Sequence, residues 1–280
     1  MTNHDATIEV GKSGAGQTPR PALTAFARVH LGDARAVWLR HLGVYLRLWK
    51  MQLAAPLIEP VFAIFAFGWG VGALITAEVA GMPYLSFIGA GVLAFAVLGR
   101  ALFETTYASY FRMVYQSTFD AILSTPVEPE SLAFAEICWA TTKALIDSLL
   151  ILLLLYIFGA ARSPFSLLTP LPLLAGSFFT ASVSLGFTAH TRDIDSYNLY
   201  IALFFSLIFL CGVWFPVEVL PPALRAFAWL IPFTSAVDLT RALLVGNLHS
   251  RHLWEALYLL AVSLASAEWA MRSLRRRMVV

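Results

Sequence analysis

The chain has 280 residues, of which 59% are hydrophobic and 13% charged, with a mean hydropathy of +0.74 and a formal net charge of +2. Soluble domains carry about 25% charged residues, so this composition cannot cover a water-facing globule and points to lipid as the solvent. The small net charge excludes an electrostatic nucleic-acid binder, and no nucleic-acid partner is expected.

Residues 1–21 are rich in Gly, Ser, Thr and Pro and show no hydrophobic period. They cannot bury enough apolar surface to fold, so residues 1–28 read as a disordered cytoplasmic tail. Within it, Gly11-Lys12-Ser13 imitates the end of a phosphate-binding loop, but Ala6 stands where that motif needs its first glycine, and Pro19 and Pro21 oppose the helix that must follow. No secretory signal is expected, because the first apolar span begins only near residue 54. Residues 29–52 form an amphipathic helix, with Val37, Trp38, Leu42, Tyr45, Leu46 and Trp49 apolar and Arg35, Arg40, Arg47 and Lys50 among them. Such a helix lies in the headgroup layer with its cations toward anionic lipid, or packs on a partner.

Residues 53–271 then hold six spans near the roughly twenty residues that cross a hydrocarbon core: 54–75, 84–107, 134–158, 167–189, 197–214 and 253–271. Residues 272–280 are a basic C-terminus. With the N-terminus inside, thirteen Lys and Arg fall in cytoplasmic segments against four outside (Arg162, Arg225, Arg241 and Arg251). Both termini of this multi-pass membrane protein are therefore expected in the cytoplasm.

Between the second and third spans, residues 111–126 are too long and too apolar for a simple turn. They predict a short amphipathic helix ended by Pro126, either docking into a groove on a soluble partner or resting on the membrane. Gln116, Phe119 and Asp120 fall at offsets of three and four and share one face, with Phe119 as its aromatic anchor. Two ionisable pairs sit at membrane depth at helical spacing, Arg100 with Glu104 and Lys143 with Asp147. Each is expected to neutralise itself within one helix, either pinning helices together or lining a substrate route. Gly176, Thr180 and Ser184 form a small-residue stripe suited to close helix packing.

The stretch from Phe215 to Ser250 stays apolar yet contains Pro216, Pro221, Pro222 and Pro232. A spanning helix does not tolerate four prolines, so short helices re-entering the outer leaflet are expected there, with an ordinary outer loop as the alternative. No catalytic residue and no metal site emerge. His249 and His252 lack a nearby acidic or thiolate cluster in sequence, no nucleophile elbow occurs, and Cys138 and Cys211 sit in separate apolar runs as small core residues.

These blocks resemble a known family, the type-2 ABC exporter permeases, in the nodulation protein J-like branch that exports lipo-chitooligosaccharides. The resemblance runs from about Trp38 onward. It is carried by Phe103-Glu104-Thr105-Thr106-Tyr107, Phe111-Arg112-Met113, Gln116, Thr118-Phe119, 121–127, 136–143, Gly212-Val213-Trp214-Phe215-Pro216-Val217, Leu220-Pro221 and 232–239. It implies an all-α membrane fold assembled as a homodimer, served by two separate ATP-binding cassette subunits that carry the ATP and Mg, with no cofactor in this chain. It also implies a coupling helix built of Tyr115, Gln116, Ser117, Thr118, Phe119, Asp120, Ile122 and Leu123. The re-entrant outer segment would hold Phe215, Pro216, Pro221, Pro232, Phe233 and Asp238. The function implied is export of a lipid-linked or oligosaccharide-type substrate. A membrane enzyme acting on lipid or glycan, an exporter of drug-like molecules and a secondary transporter are the alternatives. The enzyme lacks converging acid, base or metal ligands, and the secondary transporter lacks a second broken helix.

Overall fold

The computed structural model describes residues 24–279, so most of the tail expectation lies outside the described residues. The described residues are helical apart from connecting loops and one isolated bridge, Val79 to Met82. The last residues of the expected tail are ordered. Ala25–Arg28 forms a 3-10 turn whose backbone N–H groups at Ala25 and Phe26 donate to the Glu268 carboxylate at 2.7 and 3.2 Å.

α1 (Leu31–Arg47) buries Ala34, Val37, His41 and Tyr45 along one stripe, as a 3.6-residue period requires. That stripe packs on α5 (Pro129–Ile157), where Trp139 meets the rings of Trp38, His41 and Tyr45. Arg35, Arg40, Arg47 and Lys50 stay exposed on the other side.

After a break at Leu48 the chain enters α2 (Trp49–Ala63), which carries Pro56 and Pro60 and widens into a π-turn at Ile64–Val71. Pro56 has no N–H for the carbonyl four residues back, that of Gln52. Arg100 of α3 (Tyr84–Phe103) reaches this freed oxygen with a contact of 3.4 Å.

α3 belongs to the most buried of the four candidate spans. Its 32-residue extension, Tyr84–Tyr115, has 78% of its apolar window buried, against 17% for Trp49–Leu74. The α3 residues Leu93 and Leu98 share an apolar cluster with Ile151 and Leu155 of α5, Phe204 of α7 (Ser196–Leu210) and Phe233 of α9 (Pro232–Val245). α6 (Pro170–His190) lies against α3, α5 and α10 (Arg251–Met278). The small-residue stripe does what the sequence leads one to expect: a Cβ at Gly176 would sit 3.1 Å from both Ala236 and Leu98, and Thr180 and Ser184 are buried. In the α6–α7 loop, the Ser196 N–H and hydroxyl bond Asp193 at 2.9 and 3.0 Å, holding its carboxyl below the usual range.

The expectation of six spans is met in part. Four helices are long and apolar enough to cross a membrane: Trp49–Leu74, Tyr84–Tyr115, Pro129–Ile157 and Pro164–His190. A fifth candidate is the bent pair of α8 (Pro222–Leu230) and α9, which meet at 88°. α7 has 15 residues, about 22 Å of helix, short of the roughly 30 Å core. α10 has the length, but Glu255, Glu268, Arg272 and Arg275–Arg277 make it too polar by composition. The 88° bend follows from proline chemistry. Pro232 opens α9 and forces Ile231 into extended backbone (φ −85°, ψ 124°), so α8 cannot continue, and Gly246 at φ +87° closes α9.

Two glycines of α3 give a paired test of this packing. A Cβ at Gly91 would lie 2.0 Å from the Val213 carbonyl oxygen, whereas at Gly99 nothing lies within 4 Å. Gly91→Ala is expected to cost about 1–3 kcal/mol through overpacking and to lower the thermal midpoint of detergent-solubilised protein. Gly99→Ala should leave it unchanged.

Candidate functional site

The segment after α3 is built as an elbow. The helix widens into π-turns at Glu104–Ala108 and Phe111–Tyr115, irregularities that cluster at functional sites. Where the ladder widens, the hydroxyls of Thr105 and Thr106 donate to the carbonyls of Ala101 and Leu102 at 2.8 and 2.7 Å. Ser117 then turns the chain in the left-handed region (φ +46°), at a cost of about 1–2 kcal/mol for a residue with a Cβ. A single helical turn and a half follows, α4 (Thr118–Leu123).

α4 is fastened by its own apolar stripe. Phe119 is fully buried in a cluster with Tyr110, Met113, Leu132, Ala133 and Ile137, and Ile122 and Leu123 pack against the same cluster. This corrects the expectation that Phe119 offers an anchor to a partner: the anchor grips the chain's own α5. The exposed face is Tyr115, Gln116, Ser117, Asp120, Ala121 and Ser124, with Thr118 half-buried, flanked by the exposed side chains of Phe111 and Val114. The periodicity was interrupted by the positive φ at Ser117, which turns Phe119 inward although it shares an offset of three with Gln116.

Behind the elbow lies a buried charge network. Glu104 meets Lys143 of α5 at 2.7 Å and Arg112 at 3.0 Å. Arg112 also reaches Glu136 at 2.6 Å, and Glu136 takes a second contact from His41 of α1 at 2.8 Å and a hydrogen bond from the Ser109 hydroxyl at 2.9 Å. Nearer the middle of the Tyr84–Tyr115 span, Arg100 pairs with Asp147 at 2.8 Å. All four ionisable residues singled out by spacing are thus engaged, but crosswise. Arg100 does not pair with Glu104, nor Lys143 with Asp147; each pair joins α3 to α5. Side chains four apart on one helix point the same way, and two such faces opposed across an interface exchange partners, since each cation then meets an acid without bending back along its own helix. A cavity of about 350 Å³ opens beside the network, lined by Arg40, Tyr45, Gln52, Phe111, Gln116 and Lys143 among others.

Sequence reasoning missed Glu136, Arg112, Ser109 and His41 as members. The available signal was Glu136, an acid at the start of an apolar span with no basic residue three or four positions away.

The same end of the molecule is knitted by further contacts. Glu130, the second residue of α5, receives Arg275 at 2.6 Å and Arg28 at 3.4 Å. Arg277 donates to the carbonyls of Thr188 at 3.1 Å and Thr191, capping α6, and the Tyr110 hydroxyl donates to the Arg192 carbonyl at 3.0 Å. The elbow, α1 and the C-terminal end of α10 therefore form one platform, on the end richest in Lys and Arg.

At the opposite end, the proline-rich segment has a buried half and an exposed half. Pro232 and Phe233 are buried, Phe215 and Pro216 are half-buried, and Pro221 is exposed. Asp238 meets Arg251 at 3.0 Å and the buried His252 at 3.3 Å, and the ligand atoms of Asp238, His252 and Glu255 lie close enough to converge on an ion. The His249 N–H donates to His252 Nδ1 at 2.8 Å. That contact occupies the Nδ1 lone pair, and Nε2 is faced by both the Asp238 carboxylate and, at 3.4 Å, the Arg251 Nε. Cys138 and Cys211 are both free.

An apolar body with four helices long and apolar enough to span is the architecture of a multi-pass membrane protein. Residues 33–245 match the ABC-2 type transporter family, and the chain belongs to it. It is the multi-pass membrane permease subunit of an ABC exporter, with ATP hydrolysis on a separate subunit. Among its relatives, nodulation protein J of Sinorhizobium fredii is 32% identical over 208 residues, 74% of this chain and 79% of its own length. Nodulation protein J of Bradyrhizobium diazoefficiens is 31% identical over 213 residues, with 75% and 80% covered. That of Rhizobium leguminosarum bv. trifolii is 32% identical over 215 residues, with 76% and 81% covered.

The crosswise pairing makes a test of its own. Arg100→Leu leaves Asp147, 2% exposed, without its partner, at a cost of about 3–5 kcal/mol. The yield of folded protein in membranes, read by fluorescence-detected size exclusion, should fall sharply. The double change Arg100→Leu with Asp147→Leu should restore much of it, whereas Lys143→Ala with Asp147→Ala should not, because it removes one member from each pair.

Proposed function

We propose that this chain is one half of a homodimeric pore that moves a lipid-linked or oligosaccharide-type substrate outward across a bacterial inner membrane. Two ATP-binding cassette subunits, which hold the ATP and Mg, dock on the exposed face of the elbow. In this reading α7 and α10 complete six spans, both termini are cytoplasmic, α1 rests its basic face on anionic lipid, and α8–α9 is the re-entrant outer segment.

The observation that carries the reading is the construction of the elbow. Tyr115, Gln116 and Asp120 face outward, while Phe119 and the Glu104–Arg112–Glu136 network bind the same turn to α3, α5 and α1. Force applied to the outer face passes into the spanning helices through a contiguous, stiff contact. The glycan class of the substrate rests on the likeness to the nodulation proteins J.

Tyr115→Ala and Asp120→Arg should insert normally yet lose copurification with the ATP-binding subunit, or lose substrate-stimulated ATP hydrolysis, with a docking loss of about 2 kcal/mol or more if either is an interface hot spot. Phe119→Ala should instead lower folded yield, at about 3–5 kcal/mol for a buried Phe. Wild-type docking and coupling in both surface variants would remove the elbow from the transmission path.

Topology has a separate check in a background with Cys138 and Cys211 replaced. Single cysteines at Gly81 and Ser250 should react with an impermeant thiol reagent from outside, and one at Thr125 only after permeabilisation. All three sites are exposed, so reactivity reports the side of the membrane rather than burial. The reverse pattern would invert the orientation.

A further inference from the structure

At the end opposite the elbow, a cavity of about 460 Å³ opens between α9, the turn after α7 and the start of α10. Its size falls in the range of small-molecule pockets, about 300–1,000 Å³. Arg241 sits at its floor, 6% exposed. The guanidinium donates to the carbonyls of Gly212 and, at 3.1 Å, Val213 and lies 3.7 Å above the Phe87 ring. Its partners are thus backbone oxygens and a ring face rather than a carboxylate, and its Nε finds no acceptor.

The charges that line the cavity balance: Arg241 and Arg251 stand against Glu218 and Asp238. An anion entering would approach two carboxylates and a cation two guanidinium groups. The lining therefore suits a neutral ligand rich in both donors and acceptors. One wall is the indole of Trp229. Trp214 packs against Phe67, Phe95 and Phe209, whereas Trp229 pairs with no ring among the described residues, and its half-exposed face is available for stacking. Its neighbours are held firmly: the Thr234 hydroxyl donates to the Ala228 carbonyl at 2.5 Å and the Tyr258 hydroxyl to the Leu230 carbonyl at 2.6 Å. The rim carries the exposed amide of Asn247.

A free aromatic face, a donor-rich floor and balanced acidic and basic walls match the two sides of a sugar ring, one apolar with C–H groups and one ringed with hydroxyls. We propose that this outer cavity is a subsite for a neutral saccharide unit of the exported molecule, stacked on Trp229 and hydrogen-bonded by Arg241, Asp238 and Asn247. The proposal rests on the glycan-export reading and adds to it a place where the cargo is held on the outer side.

The test uses the full chain with its ATP-binding subunits in nanodiscs, and reads binding by saturation-transfer NMR and calorimetry. The probes are maltotriose, an N-acetylglucosamine trimer, trigalacturonate and inorganic phosphate. At least one neutral trimer should bind, Trp229→Ala should weaken it about 5- to 10-fold, the size of one aromatic contact, and Trp229→Phe should retain it within about twofold. Asn247→Ala, on the exposed rim, should weaken it about threefold, one modest hydrogen bond. No binding of either neutral trimer, unchanged binding in Trp229→Ala, or binding of phosphate and trigalacturonate alone would overturn the subsite. Glycan-stimulated ATP hydrolysis and glycan transport, measured on the same samples, separate the two readings. Glycan transport without trimer binding removes the subsite alone; no stimulation or transport with any glycan removes the export reading beneath it.

Discussion

A charge inside a bilayer needs a partner that offsets its lost hydration, and in this chain two pairs of opposite charges decide which helices lie side by side. Arg100 with Asp147 and Lys143 with Glu104 fix α3 against α5 at two depths. Desolvating each ion costs several kcal/mol, so only the arrangement that matches all four side chains at once is tolerated. The value of such pairs lies in register more than in net stability, because sliding α5 along α3 by one turn would separate both. Once that register is set, Glu136 comes within reach of Arg112 and His41, and the elbow and α1 take their places.

Proline supplies the second constraint. In α2, Pro56 releases the Gln52 carbonyl toward Arg100. In the outer segment, Pro232 enforces the 88° turn that divides α8 from α9. Each is a covalent limit on backbone hydrogen bonding that lipid would punish and that protein contacts absorb. The outer segment is buried along α9, whose carbonyls and N–H groups are largely used within its own helix, so its broken backbone at Ile231 is shielded by the rest of the chain.

Much of this was legible in the sequence, and the gaps have identifiable causes. Four spans, the elbow, the small-residue stripe on α6 and the proline break all follow from local chemistry: apolar run length, turn residues and the missing proline N–H. The exchange of partners between the two ionic pairs did not, because spacing along one helix says which face a side chain shares and nothing about what stands opposite. Helical offsets put Phe119 on the outer face with Gln116, but offsets hold only within one helix, and Ser117 breaks the helix before it. His252 looked like a loop residue until α9 brought Asp238 to it. The shortness of α7 was hidden because the apolar run continues through Cys211 to Trp214, where Gly212 at φ +80° has already ended the helix.

α3 and its π-turned extension run as one 32-residue rod from Tyr84 to Tyr115, about 48 Å at the rise of an ideal helix. A rod of that length behaves as a lever. About a pivot near its middle, displacing its elbow end by about 2 Å tilts it through only about 5°, a rotation that ridges packed into grooves absorb without changing neighbours, since crossing angles scatter by about 15–20°. If the rod pivots near Arg100, roughly midway, the outer end at Tyr84 swings by a comparable distance in the opposite sense, and the contact of Gly91 with the Val213 turn moves a little more than half as far. On the proposed docking at the elbow, a mechanical advantage near unity would deliver the stroke of a nucleotide-driven partner to the far end of the rod neither amplified nor lost.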